Sequence, residues 1–177
     1  IMLPNQPTPP EKYPDPILRG KCQEVQGLTG EIKKFNQDMV ETMLANQGIG
    51  LAAPQVGELK RIVVVYPITE RIPEERAIKK PQIFINPRII KKSRETIIEE
   101  EGCLNFPGLF LKIKRAKEVE VEALNENGEK ISLRAEGLPA RIFQHEVDHL
   151  DRILFIDRLS FWQKLKLRGK LKEYESH

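Results

Sequence analysis

The sequence predicts an α+β fold: antiparallel sheets packed around a central helix, with one helix before them and an amphipathic helix at the C-terminus. Three observations predict it. Short alternating segments fill the middle of the chain, among them a hairpin in which Lys117–Leu124 and Lys130–Arg134 flank the turn sequence Asn125-Glu126-Asn127-Gly128. Helical spacing of apolar residues is confined to separate stretches before and after those segments. The strands are grouped rather than interleaved with helices, which argues against a βαβ array.

Along the chain, residues 1–16 form a proline-rich arm expected to be extended; Ile1 precedes Met2, reads as a scar or a trimmed precursor, and stands outside the fold argument. Thr29 is a plausible N-cap, and Ile32, Phe35, Met39 and Met43 recur at helical spacing to about Asn46. Gly50, Pro54 and Gly57 break the apolar run Ile49–Val56 into a loop or a short extended piece. Ile62–Tyr66 is a β-branched run suited to a buried strand. Pro67–Pro81 is charged and proline-bearing, a surface loop of the length that covers functional sites. Ile83–Asn86, Ile89–Ile90 and Thr96–Ile98 are expected as short strands. A helix starts near Leu138, where Pro139 occupies a first-turn position that needs no N–H. A short strand is expected at Leu154–Ile156, then a basic helix over 160–175.

Composition bounds the chemistry. At 177 residues the chain suits one domain spanning 1–177. With 40% hydrophobic and 31% charged residues, it has the balance of a globular protein. No apolar run approaches the roughly 18–20 residues that cross a bilayer, and the first residues lack the apolar core of a secretory signal. No membrane partner is expected. Lys plus Arg exceed Asp plus Glu by 29 to 26, a surplus of +3 that is too small to imply nucleic acid. Cys22 and Cys103 allow at most one disulfide, and the chain otherwise reads as intracellular.

The sharpest signal is His145-Glu146-Val147-Asp148-His149. On a helix, positions i and i+4 share a face, so both imidazoles can grip one metal ion. Glu146 then stands where a carboxylate can act as general base on a water at that metal. The bland alternative, two core or surface histidines spaced so by chance, is much the rarer case for this motif. A catalytic site needs a third ligand, and His177 is terminal; Cys103, in Glu101-Gly102-Cys103-Leu104-Asn105, is the best remaining donor. Taken alone, Cys103 would more often be a small buried cysteine. Cys22 reads as inert. A third element, Gly48-Ile49-Gly50-Leu51-Ala52-Ala53-Pro54-Gln55, permits close backbone approach and ends in an amide, though alone it is weak.

Together, in this order and spacing, the three segments resemble the peptide deformylase family, whose marks are G-x-G-L-A-A-P-Q, E-G-C-L-S and Q-H-E-x-D-H. The resemblance runs from Tyr13-Pro14-Asp15-Pro16-Ile17-Leu18 to the terminal helix. Three positions depart from it: Asn105 replaces the usual serine, Phe110 a frequent arginine, and Arg141 a frequent aliphatic residue.

The resemblance implies hydrolysis of the N-formyl group from the formyl-methionine of new polypeptides, with release of formate. It implies metal ligands Cys103, His145 and His149, and one divalent ion, Fe²⁺ in the cell, replaceable by Zn²⁺, Ni²⁺ or Co²⁺. It further implies Glu146 as base, Gln55 and the backbone N–H of Leu104 as oxyanion donors, and Gly50, Ile49 and Arg141 along the substrate. Glu101 is the expected carboxylate behind a ligating imidazole, and Asp148 an expected partner of Arg115. The family's terminal helix docks on the ribosome near the exit tunnel, which gives Arg158, Lys164, Lys166, Arg168, Lys170 and Lys172, in and just before the helix of 160–175, a partner beyond solvent. The implied location is the bacterial cytoplasm, with plastid or mitochondrion as the alternative. Two rivals remain open on the sequence alone. His-Glu-x-x-His by itself fits a zinc endopeptidase equally well, and the basic helix by itself fits a non-enzymatic binding module.

Overall fold

A computed structural model describes residues 8–66 and 80–175. The loop expected over 67–81 lies almost wholly outside the described residues, as does the start of the N-terminal arm.

Helix α1, Gly30–Ala45, begins where the Thr29 hydroxyl accepts from Ile32 N (3.3 Å). Its buried face carries Met39 and Met43, and it ends at Asn46 as the spacing predicts. The chain then lays down β1, Gly50–Ala52, a one-turn 3-10 helix at Ala53–Val56, and β2, Ile62–Val65. Next come β3, Gln82–Lys92; β4, Thr96–Gly102; β5, Phe110–Ala116; β6, Glu118–Leu124; and β7, Lys130–Glu136. Helix α2, Leu138–Leu150, and helix α3, Phe161–Glu175, complete the order.

All strand pairings between these elements are antiparallel. Five strands form a sheet in the order β1-β2-β3-β6-β7, and β4 pairs with β5 as a separate two-stranded ribbon. The run Ile62–Val65 is buried on both faces because each face of the sheet has its own helix. Ile62 and Val64 pack with Met39, Met43 and Leu51 toward α1, while Val63 and Val65 pack with Phe84, Val121 and Phe143 toward α2. A third cluster, around Phe106, Leu109, Ile113 and Phe155, lies under the ribbon; Leu167, Leu171 and Tyr174 of α3 pack against it. Every residue of α2 from Ala140 to Leu150 is buried, so the helix runs through the middle of the molecule.

Three local expectations change. Ile83–Asn86 and Ile89–Ile90 belong to one strand; Asn86, at φ 52°, and Pro87 shift its register against β6 and break its alternation. Thr96–Ile98 extends to Gly102 by pairing along the whole of β5, a strand the sequence reading did not contain. Leu154–Ile156 is not a strand. Asp157 accepts from Leu154 N (2.8 Å) while its own N–H returns to the Leu154 carbonyl (2.8 Å), which winds Phe155–Arg158 into a 3-10 turn.

Burial would raise the pKa of Asp157, but hydrogen bonds from Arg19 (2.7 Å) and Leu154 N outweigh it and hold the carboxyl low. A depressed folded pKa gives stability that is present above the ordinary carboxylate range and is lost as pH falls through the lower folded value. Asp157→Asn is therefore expected to cost about 1 kcal/mol at neutral pH. In urea melts that difference should shrink toward zero as pH drops below about 4.

Candidate metal centre

Helix α2 presents His145 and His149 one turn apart, with ring centroids separated by 5.0 Å. Cys103 arrives from the other side, on the turn that follows β4. The ligand atoms of Cys103, His145 and His149 lie within 4.8 Å of one another, and Cys103 Sγ is 3.4 Å from His149 Nε2. The structure thus brings together the three donors that the sequence reading paired with a metal. One thiolate sulfur and two imidazole nitrogens form a borderline-soft set suited to Fe²⁺ or Zn²⁺ rather than Ca²⁺ or Mg²⁺. The geometry agrees with that fit. Glu101 Oε2 sits 3.0 Å from His145 Nδ1, which leaves Nε2 as the free nitrogen for a ligand.

Glu101 is the hub behind the site. Its carboxylate is buried and meets Arg115 Nε (2.8 Å) and Nη2 (3.0 Å), Arg141 Nη1 (2.6 Å) and His145. Burial alone would raise its pKa; the hydrogen bonds from His145 and Arg115 overcome that and hold it well below the carboxylate range. Arg115 continues the chain to Asp148 (2.5 Å), which also receives Arg158 (2.5 Å). The expected Asp148–Arg115 pair is present, and the buried charges alternate in sign throughout.

Glu146 lies in a cleft of about 540 Å³ bounded by the β1 segment on one side and the β4–β5 ribbon on the other. Burial pushes its carboxyl up to about 7, and its Oε2 makes no hydrogen bond to any described residue. Gly50 explains how it fits. A Cβ at Gly50 would overlap Glu146 Oε1 and sit 2.9 Å from its Cγ and Cδ. Only a residue without a side chain lets β1 pass so close to this carboxylate.

The remaining predicted residues fall around the same cleft. Gln55 is buried, its Nε2 3.7 Å from Cys103 Sγ. Leu104 follows Cys103 directly, and its carbonyl accepts from Lys12 Nζ (3.0 Å). The Ile49 carbonyl accepts from Tyr66 N (2.8 Å), so by strand alternation the backbone groups of Gly50 face away from β2, toward the open edge. Arg141 borders the cleft, with its guanidinium taken up by Glu99, Glu101 and the carbonyls of Ile97 and Ile113. Phe110, 61% exposed, lies over Gly102 at the cleft rim, where a Cβ would come within 2.7 Å of its ring. Cys22 is remote and buried, and burial pushes its thiol up to about 11, in keeping with the inert reading. Glu11 and Lys12 of the arm escaped the sequence reading, yet Glu11 meets Asn105 and Lys12 meets the Leu104 carbonyl; Arg141, expected along the substrate, spends its guanidinium on Glu99, Glu101 and two carbonyls instead.

The polypeptide deformylase family model matches residues 9–165. Among curated relatives, the peptide deformylase of Neisseria meningitidis serogroup C is 44% identical over 166 residues, covering 94% of this chain and 95% of its own. That of Thermodesulfovibrio yellowstonii is 43% identical over 162 residues, covering 92% and 94%. Among solved structures, Arabidopsis thaliana peptide deformylase 1B matches with a TM-score of 0.86 at 36% identity, over 94% of this chain and 90% of its own. The Plasmodium falciparum enzyme matches at 0.83 and 41%, over 94% and 95%.

Glu101→Gln removes the charge that Arg115, Arg141 and His145 share. A chelator-competition titration should find metal affinity lowered about 10- to 100-fold, and unaltered affinity would reject the role of Glu101 behind His145.

Proposed function

The chain belongs to the peptide deformylase family and removes the N-formyl group from nascent peptides, and from that premise we propose how its residues divide the work. Cys103, His145 and His149 hold one divalent ion, and Glu146 carries the proton. The observation that carries this reading is the convergence of the three donor atoms next to a cleft that Cys103, His145 and the buried Glu146 line. A cation held there supplies Lewis-acid chemistry and lowers the pKa of water from about 16 to about 7. For the cell we propose Fe²⁺, which the donor set suits, with Zn²⁺, Ni²⁺ or Co²⁺ as replacements.

Glu146 accepts a proton from the attacking water as the oxygen adds to the formyl carbon. It returns that proton to the methionine nitrogen as the C–N bond breaks, and formate and a free amino terminus leave. The buried place of Glu146 in the cleft, with Oε2 unbonded among the described residues, leaves the carboxylate free for both halves of this exchange. Gln55 Nε2 and the Leu104 N–H donate to the oxygen that becomes negative. Gly50, with Ile49 beside it, receives the extended peptide along the open edge of β1, as a strand adds to a sheet. Arg141 shapes the opposite wall through Glu99 and Glu101. All of this works within one catalytic domain whose N-terminal arm and C-terminal helix are its borders.

The endopeptidase rival fares worse, because its motif has no use for the thiolate of Cys103 or for Gln55. Formate release from a formyl-Met-Ala-Ser peptide, with protein prepared anaerobically in Fe²⁺, tests the assignment. Glu146→Ala should retain metal and lose at least about 10³-fold in kcat; a smaller loss removes Glu146 from its role.

The second partner we propose is the ribosome near the exit tunnel, contacted by α3. The support is a helix whose Lys164, Lys166, Arg168 and Lys170 are exposed while Leu167 and Leu171 hold it to the body. Bacterial relatives support a cytoplasmic location for that encounter, and no helix among the described residues is long and apolar enough to cross a membrane. Reversing Lys164, Lys166 and Arg168 to glutamate should abolish ribosome binding that weakens with salt. Sedimentation with ribosomes across a salt series reads it out, and equal binding by both proteins would leave α3 a solvated face.

A further inference from the structure

Asn105 is fully buried, one turn of chain beyond Cys103, and its side chain lies in a short relay of amides. Asn105 Nδ2 donates to the Glu11 carbonyl (2.5 Å). Asn105 Oδ1 accepts from Gln55 Nε2 (2.9 Å). Gln55 Oε1 accepts from Ala52 N (2.7 Å). An amide side chain can ordinarily turn over and exchange donor for acceptor, so its direction has to be imposed from outside. Here a backbone group of fixed polarity stands at each end. The Glu11 carbonyl can only accept and the Ala52 N–H can only donate, so both amides have one permitted direction. With one N–H of Gln55 spent on Asn105, the other points toward Cys103 Sγ, 3.7 Å away, and so toward the metal centre.

We infer that Asn105 is a positioning residue for Gln55: it fixes the amide so that N–H, not C=O, faces the reacting carbonyl, and it couples that orientation to the N-terminal arm. The arm is held at the same place by two further bonds, Glu11 N to the Gln55 carbonyl (2.7 Å) and Tyr13 N to the Asn105 carbonyl (3.0 Å). A serine at this position would offer a hydroxyl that rotates between donor and acceptor, and a shorter reach toward Glu11. Asparagine removes that freedom. The inference rests on the assignment of Gln55 as an oxyanion donor, since an amide that donated nothing to the reaction would need no fixed direction.

A double-mutant cycle on kcat and KM for formyl-Met-Ala-Ser tests it, with Gln55→Ala, Asn105→Leu and the pair, each checked for folding and metal content. Asn105→Leu keeps the volume and removes the hydrogen bonds to Glu11 and Gln55 together with the one that Asn105 Oδ1 accepts from Cys103 Sγ (3.2 Å), which is why metal content is checked beside folding. It should lower kcat about 10-fold or more with little change in KM, and should have less than a 2-fold effect once Gln55 is alanine. Asn105→Ser, which retains a hydroxyl oxygen as acceptor for Gln55, should recover part of the lost kcat. Should Asn105→Leu not fold, Asn105→Ala carries the same cycle. An equal loss in both backgrounds, or no loss beside an active Gln55, overturns the inference. No loss in Gln55→Ala itself overturns the oxyanion assignment instead, and the two failures are told apart by that single variant.

Discussion

A carboxylate buried away from water is expensive unless cations and hydrogen bonds surround it. Glu101 meets that condition with Arg115, Arg141 and His145, and most of the site's geometry follows from the arrangement. Glu101 comes from β4, Arg115 from β5, and Arg141 and His145 from α2. The two-stranded ribbon is therefore bound to the central helix through charge, where the five-stranded sheet is bound to it through apolar packing. Removing one partner would leave the others charged and dry, so the ribbon, the helix and the ring of His145 hold their positions jointly. Cys103 comes from the turn after β4, and so the distance between thiolate and imidazoles is set by the same network.

The helix that bears both histidines is buried from Ala140 to Leu150, and this gives the centre its rigidity. A ligand on a loop can drift; a ligand on a helix packed on all sides cannot move without disturbing Phe143, Val147 and Leu150. Burial also withholds solvent from Glu146. One environment thus fixes the donors and raises the carboxyl beside them.

Much of this was legible in the sequence, because the signals were local. Thr29 and the Ile32–Met43 spacing carry α1, the Asn125–Gly128 turn carries the β6–β7 hairpin, and the His145–His149 spacing carries the metal face. The features that escaped depend on partners distant in sequence. In β5 the inward positions are Ile113 and Arg115, and an arginine reads as outward until Glu101 and Asp148 are known to meet it. Leu154–Ile156 has the composition of a strand, and only the Asp157 carboxylate winds Phe155–Arg158 into a turn. Asn105 stood out as a departure from a motif, but its bond to Glu11 joins residues far apart in the chain. Similarity to known deformylases carries the family and its reaction, while the roles of individual residues rest on the geometry.

The five-stranded sheet has two edges, and the chain treats them differently. An exposed edge invites any extended chain to pair with it, which is how sheet proteins aggregate. On β7 the outer positions include Lys130, Ser132 and Arg134, a polar row that discourages pairing. On β1 the edge is left open, but it is three residues long and lies within a cleft beneath the β4–β5 ribbon. A neighbouring strand would find only three residues there to pair with. Shortness and enclosure thus limit self-association at one edge of the sheet, as charge does at the other.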